Sequence, residues 1–102
     1  MATETIQIGW NNGYYLISSP SSMTQGDTLN VVPPSIGCTI NFSPPLPLSG
    51  TTSPTYPNYT LQGLMVAFTM PTQPTDYDFT FSVDGRDGKS GIPDHTIPIK
   101  KT

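Results

Sequence analysis

Large apolar residues alternate with small, polar or charged ones in several short stretches of the chain. The clearest stretch covers residues 77–83 and ends at Asp84-Gly85. An alternation with a period of two is typical of a strand with one buried face, and Asp-Gly is a common turn sequence. Residues 77–83 are therefore predicted to form a β-strand that ends in a turn.

Similar patterns predict further short strands at residues 5–10, 14–17, 28–32, 38–42 and 96–100. Asn11-Asn12-Gly13 is a turn signal that would join the first two of these strands in a hairpin. Gln25-Gly26-Asp27 predicts a tight turn before the third. Pro98 cannot donate a ladder hydrogen bond, which places the last strand at a sheet edge or at a position without that bond.

Two stretches are harder to interpret. Residues 64–70 are apolar enough for a strand covered on both faces, with a short buried turn of helix as the alternative. Residues 43–59 carry five prolines and predict a long irregular segment over the end or edge of a sheet. Six or seven short strands separated by turns favour an antiparallel sandwich.

The composition agrees with an all-β domain. The chain has 102 residues, 12 prolines and 9 glycines, which leave little room for long helices. Only 11% of residues are charged and the formal net charge is −3, while aromatic residues make up 10%. Disordered chains usually combine high net charge with few aromatics, so a single folded domain over residues 1–102 is expected.

Charge and hydropathy exclude several function classes. With four basic residues in the chain, we expect no nucleic-acid partner, because phosphate binding needs clustered Lys or Arg. No apolar stretch is long enough for a membrane helix, so no membrane partner is expected. The start Met1-Ala2-Thr3 shows no secretion signal, which indicates a cytoplasmic protein if the sequence is complete at this end. Cys38 is the only cysteine, so no intrachain disulfide is possible.

Three segments together resemble the cupredoxin-like β-sandwich. These are Gln25-Gly26-Asp27-Thr28 leading into an apolar strand, Cys38-Thr39-Ile40-Asn41-Phe42, and Asp76-Tyr77-Asp78-Phe79-Thr80-Phe81 followed by a loop and a last strand. The resemblance implies a Greek-key fold, and it places the first copper-ligating His of that family at Cys38 and its ligand Cys at Phe81.

The residues argue against copper in this chain. A type 1 copper site uses two His, a Cys and a weak axial Met. His95 is the only histidine, and residues 81–94 contain no Cys, His or Met. The resemblance therefore implies the scaffold of the family without its copper site.

Cys38 and His95 are the two residues with the greatest potential for chemistry. Cys38 shares its strand face with Ile40 and Phe42, which favours a small buried side chain over a nucleophile. His95 shares the parity of Ile97 and Ile99 and could point inward at a strand start; a structural or surface histidine is favoured over a metal ligand. Asp84, Asp87 and Asp94 could gather around Ca²⁺, although plain turn chemistry explains them better.

Five aromatic residues could supply more surface than one small core needs. Trp10, Tyr14, Tyr15, Tyr56 and Tyr59 would suit sugar or protein binding if they are exposed. The alternative, which we favour, is that they close the ends of the sandwich.

The sequence thus predicts an all-β, single Greek-key antiparallel β-sandwich, cupredoxin-like or immunoglobulin-like, with no cofactor, no metal site and no catalytic residue. The predicted function is a non-enzymatic binding or structural module that presents loops 43–59 and 84–94 to a protein or a carbohydrate. The alternative is a metal-binding or redox protein that uses Cys38 and His95. A small hydrolase is a third and weaker reading.

Overall fold

The structure is a computed structural model that describes residues 2–11, 14–49, 56–84 and 95–101. At 11, 14, 56, 57 and 84 only the main chain is described. These ranges contain nine strands: β1 (Thr3–Asn11), β2 (Tyr14–Ser18), β3 (Met23–Thr24), β4 (Thr28–Val32), β5 (Cys38–Leu46), β6 (Tyr56–Leu61), β7 (Val66–Thr69), β8 (Tyr77–Asp84) and β9 (His95–Lys100).

The strands form two sheets that pack together, which confirms the predicted all-β sandwich. One sheet has four strands in the order β2-β1-β4-β7, and the other has five in the order β3-β9-β8-β5-β6. The predicted hairpin is present, because β1 and β2 pair antiparallel with Asn11 opposite Tyr14.

The sheets are mixed, whereas a purely antiparallel sandwich was expected. Strand β1 runs parallel to β4, with Ile6 opposite Val31, and β3 runs parallel to β9. The hairpin partner β2 carries the chain back before β4 begins, so β4 enters the sheet in the same direction as β1. An alternating pattern reports which face of a strand is buried and carries no information about the direction of its neighbour.

The core lies between the sheets, and Phe68 is one of its central residues. Phe68 from the four-stranded sheet is fully buried, and its ring centroid lies 4.9 Å from that of Phe42 and 4.8 Å from that of Tyr59 in the five-stranded sheet. The strand predicted at residues 77–83 is present as β8, and its Phe79, Phe81 and Val83 are buried as the alternation requires.

The prediction of an irregular segment over residues 43–59 was wrong at both ends. Strand β5 continues to Leu46, and β6 begins at Tyr56. The register of β5 against β6 shifts between Asn41 and Leu46, so Pro44 and Pro45 lie where this ladder is interrupted. A proline at such an interruption removes no ladder hydrogen bond, which is why the strand tolerates two of them.

The predicted strand at residues 64–70 is shorter in the structure. Strand β7 begins at Val66, which pairs with Val31 near the end of β4. Leu64 and Met65 precede it on the turn from β6 and are exposed, with 77% of Leu64 accessible. The β4–β7 register would place Leu64 opposite Pro33, beyond the end of β4, whereas Met65 would face Val32, the last residue of β4.

The segment Gln25-Gly26-Asp27 forms the predicted tight turn and joins three parts of the chain. Gly26 has a φ of 86°, and the amide of Asp27 donates to the carbonyl of Thr24 at 3.0 Å. The buried Gln25 side chain donates to the carbonyl of Thr75 and accepts from the amide of Gln73, both at 2.8 Å. The turn therefore holds the loop that leads into β8.

Candidate binding surface

The outer face of the five-stranded sheet carries a continuous set of short polar side chains. Strands β5, β6, β8 and β9 are neighbours, and their buried residues alternate with outward-facing ones. Cross-strand pairing aligns the outward residues in rows, such as Asn58, Asn41 and Ser82. We call this surface the polar face; it comprises Thr39, Asn41, Ser43, Asn58, Thr60, Thr80, Ser82 and Thr96.

Hydrogen bonds between neighbouring strands order part of the polar face. The hydroxyls of Thr39 and Thr60 lie 3.3 Å apart, and Nδ2 of Asn41 makes a long 3.5 Å contact with Oγ of Ser82. A shallow hollow of about 100 Å³ lies over the junction of β5 and β8 and is lined by Asn41, Phe42, Ser43, Thr80, Phe81 and Ser82. Short side chains fixed in this way lose little rotamer freedom when a ligand binds.

Charged residues flank this surface at both ends of β8: Asp84 is the ladder partner of Thr39 at one end, and Asp78 lies near the other. Asp78 pairs with Pro98 across β8 and β9, next to Lys100. A second hollow, of about 190 Å³, lies there and is lined by Asp76, Tyr77, Asp78, Pro98, Ile99 and Lys100. The eight residues that define the polar face are all Ser, Thr or Asn, so each of them offers hydrogen-bond donors and acceptors without a charge.

Cys38 lies at the start of β5 as a buried thiol. Only 4% of its surface is accessible, and the desolvation that burial imposes raises the pKa of the thiol to about 11. A thiol with a raised pKa stays protonated at neutral pH and is a poor nucleophile and metal ligand. This placement agrees with the small buried side chain predicted from its alternation with Ile40 and Phe42.

His95 points inward at the start of β9, as its parity predicts. Its ring stacks on Phe81 with centroids 4.9 Å apart and an interplanar angle of 13°. The Nε2 atom is buried and has no hydrogen-bond partner among the described residues. His95 is half-buried and lies against Phe81 at the margin of the core.

The structure does not bring Cys38 and His95 together. His95 pairs with Phe81, and Phe81 pairs with Phe42 of β5. Cys38 precedes Phe42 by four residues on that strand, so the Cys38 and His95 Cα atoms are separated by roughly 16 Å at ordinary strand spacing and rise. Among the described residues, no three His, Cys, Asp or Glu side chains cluster as metal ligands would.

The register of β5 against β8 also decides whether the two positions that the cupredoxin resemblance assigns to copper ligands are neighbours. Ligands of one copper ion must lie side by side, which would require Cys38 and Phe81 to be neighbours. Phe42 is the partner of Phe81 in the sheet, and Cys38 is displaced from it by about 13 Å along β5. The two positions that the resemblance assigns to copper ligands therefore do not meet.

Of the three residues in the set of candidate aromatic residues whose side chains the structure describes, Tyr15 lies in the core and Tyr59 packs against it. Tyr15 is buried and its ring lies 5.0 Å from Trp10, whereas Tyr59 is half-buried and donates its hydroxyl to the carbonyl of Leu46. Trp10 is the most open of the three, with 37% of its surface accessible. The side chains of Tyr14 and Tyr56 lie outside the described residues.

Several predicted features fall outside the described ranges. The proposed calcium ligands Asp87 and Asp94, the side chain of Asp84, and most of loop 84–94 are among them. In the part of the chain that the structure covers, no helix has the length and apolarity needed to cross a membrane.

Comparison with known proteins gives this chain no family. No protein-family model matches the sequence, and no curated protein resembles it significantly.

Proposed function

We propose that this protein is a non-enzymatic binding module whose polar face binds a neutral carbohydrate. The observation that carries the proposal is the uncharged array of hydroxyl and amide groups along β5, β6, β8 and β9. Sugar hydroxyls both donate and accept hydrogen bonds, and Ser, Thr and Asn side chains offer both functions in return.

Other ligand classes fit this surface less well. A protein partner usually docks on aromatic, Met or Arg anchors, and the polar face consists of Ser, Thr and Asn. A nucleic acid needs clustered positive charge, whereas Lys100 stands beside Asp78 at the margin of the surface. A neutral polyhydroxylated ligand needs no counter-charge and can lie flat on a pleated sheet.

The hollow over β5 and β8 is the expected centre of binding. Asn41 and Thr80 face it from adjacent strands, and both side chains are half-buried and held by the sheet below. Hydrogen bonds with uncharged partners contribute about 0.5–1.5 kcal/mol each in net terms. A few such bonds without aromatic stacking predict weak binding, near a Kd of about 1 mM.

The test is a binding screen of purified protein against soluble oligosaccharides and insoluble polysaccharides, with Asn41→Ala and Thr80→Ala as variants. Asn30→Ala and Thr28→Ala are matched controls, because Asn30 and Thr28 are half-buried outward residues of the other sheet. We expect binding to at least one neutral glycan, weakened by the first pair and unchanged by the controls. Binding that all four variants leave intact, or no binding to any neutral glycan, would overturn the proposal.

A further inference from the structure

The hollow between β8 and β9 lies on the same outer surface of the five-stranded sheet as the polar face. Asp78 and Pro98 pair across these strands and share the outward parity of Thr80 and Thr96. This β8–β9 hollow has a volume of about 190 Å³, against about 100 Å³ for the hollow over β5 and β8. The outward row of β8 therefore leads from one hollow to the other.

The two hollows are close enough to be occupied by one ligand. On β8 and the residue before it, the first hollow is lined by residues 80–82 and the second by residues 76–78. At ordinary strand rise and strand spacing, the centres of the two hollows are separated by roughly 14 Å. A short linear oligosaccharide spans such a distance, so a glycan held over β5 and β8 can reach the second hollow by crossing β8.

The lining of the β8–β9 hollow combines an apolar surface with charged groups at its rim. Pro98 is half-buried, whereas Asp76, Asp78 and Lys100 are exposed around it. A pyranose ring has an apolar C–H face and a rim of hydroxyls, so the face can lie on the proline while the hydroxyls meet the charged groups. A carboxylate accepts from hydroxyls and an ammonium donates to them, and such charge-assisted hydrogen bonds are stronger than neutral ones.

The same groups fit other small ligands less well. Two carboxylates beside one ammonium repel an anionic ligand more than they attract it. A metal ion needs more ligands than this hollow supplies, since no three His, Cys, Asp or Glu side chains cluster within the described ranges. A neutral sugar unit makes use of both the proline surface and the charged rim.

We infer that the β8–β9 hollow is a second sugar subsite, which binds a further neutral pyranose unit of the same glycan chain. This inference rests on the proposed carbohydrate binding by the polar face and adds the size of the ligand to it. The preferred ligand is a linear glycan long enough to cover both hollows. When one molecule occupies two subsites, the second contact becomes intramolecular, so affinity rises with chain length.

The test compares di-, tetra- and hexasaccharides from a panel of cello-, manno-, xylo- and galacto-oligosaccharides, each titrated into ¹⁵N-labelled protein and followed by amide shifts. We expect the hexasaccharide of the glycan that binds to have an affinity at least about fivefold higher than that of the disaccharide. The amides of Asp78 and Lys100 should shift with the longer ligands and not with the disaccharide. This readout on the wild type does not depend on the folding of any variant.

Substitutions at the rim test the subsite separately. Asp78→Ala and Lys100→Ala should each at least halve the advantage of the hexasaccharide, because each removes a charged partner of the sugar hydroxyls. Lys101→Ala is the matched control and should retain the full advantage, since the Lys101 ammonium donates to the carbonyl of Pro74 at 2.8 Å and Lys101 does not line the hollow.

The outcomes separate this inference from the proposed function. A neutral glycan that binds with equal affinity at every length, or a length advantage that both rim variants leave intact, would overturn the second subsite while the polar face remains a binding surface. No binding of any oligosaccharide in the panel, at any length, would overturn both.

Discussion

Replacing Asp27 with alanine tests how the Gln25-Gly26-Asp27 turn stabilises the sandwich. Asp27 is only 3% exposed, and its carboxylate accepts two main-chain hydrogen bonds. Its Oδ1 accepts from the amide of Ala2 and its Oδ2 from the amide of Thr24, both at 2.9 Å. The side chain thus ties the residue that precedes β1 and the end of β3 to the start of β4.

The magnitude follows from these contacts. A hydrogen bond to a charged group contributes about 1.5–3 kcal/mol, and less when the donor can bind water instead. The amide of Ala2, in an exposed residue, can recover water after the substitution, whereas Thr24 is half-buried. We therefore expect Asp27→Ala to lower the free energy of unfolding by about 3 kcal/mol, a large part of the 5–15 kcal/mol typical of a domain.

The assay is equilibrium unfolding in urea, followed by circular dichroism. Asp76→Ala is the matched control, because Asp76 also accepts a main-chain hydrogen bond, from the amide of Lys101, but is exposed. We expect the control to cost less than about 1 kcal/mol. Equal losses for the two variants, or a loss below about 1 kcal/mol for Asp27→Ala, would refute the argument that burial makes the Asp27 carboxylate important.

Three further predictions concern the core and its ionisable groups. Phe68→Ala should lower the free energy of unfolding by about 3–5 kcal/mol, since Phe68 is fully buried between the sheets; a loss below about 1.5 kcal/mol in the same urea assay would contradict its central position. Cys38 should react with a thiol reagent at pH 8 far more slowly in the native protein than in urea, because burial raises its pKa to about 11; equal rates would show that the thiol is open. Tyr77 donates its hydroxyl to the carbonyl of Pro71, and burial raises its pKa from 10.0 to about 12. The unfolded chain loses this proton at lower pH than the folded one, so stability should fall from about pH 10 to pH 12. Tyr77→Phe should flatten that part of the pH profile, and a profile identical to that of the wild type would contradict the assignment.

Alternation in the sequence was sufficient to predict the strands that have one buried and one solvated face. Residues 28–32 and 77–83 are examples, because every second side chain reports directly on burial. The prediction failed at Leu64 and Met65, whose apolarity matched a covered strand but whose side chains are exposed. A strand also needs a partner, and the β4–β7 register places Leu64 beyond the end of β4.

The alternation pattern predicts only part of the polar face. The outward positions of β5 and β8, such as Asn41 and Thr80, follow from the alternation with Ile40 and Phe79. That β5 and β8 are adjacent, with β6 and β9 beside them, depends on pairing between distant segments. Pairing of this kind is set by packing and chain connection, and the local pattern does not encode it.

The central claim, that the polar face binds a neutral carbohydrate, is tested most directly by nuclear magnetic resonance. Amide shifts of ¹⁵N-labelled protein would be followed during titration with the glycan selected by the binding screen. We expect saturable shift changes centred on β5 and β8, around Asn41 and Thr80, and none on the outer face of β4. Shift changes confined to other surfaces, or none up to about 10 mM glycan, would contradict the account.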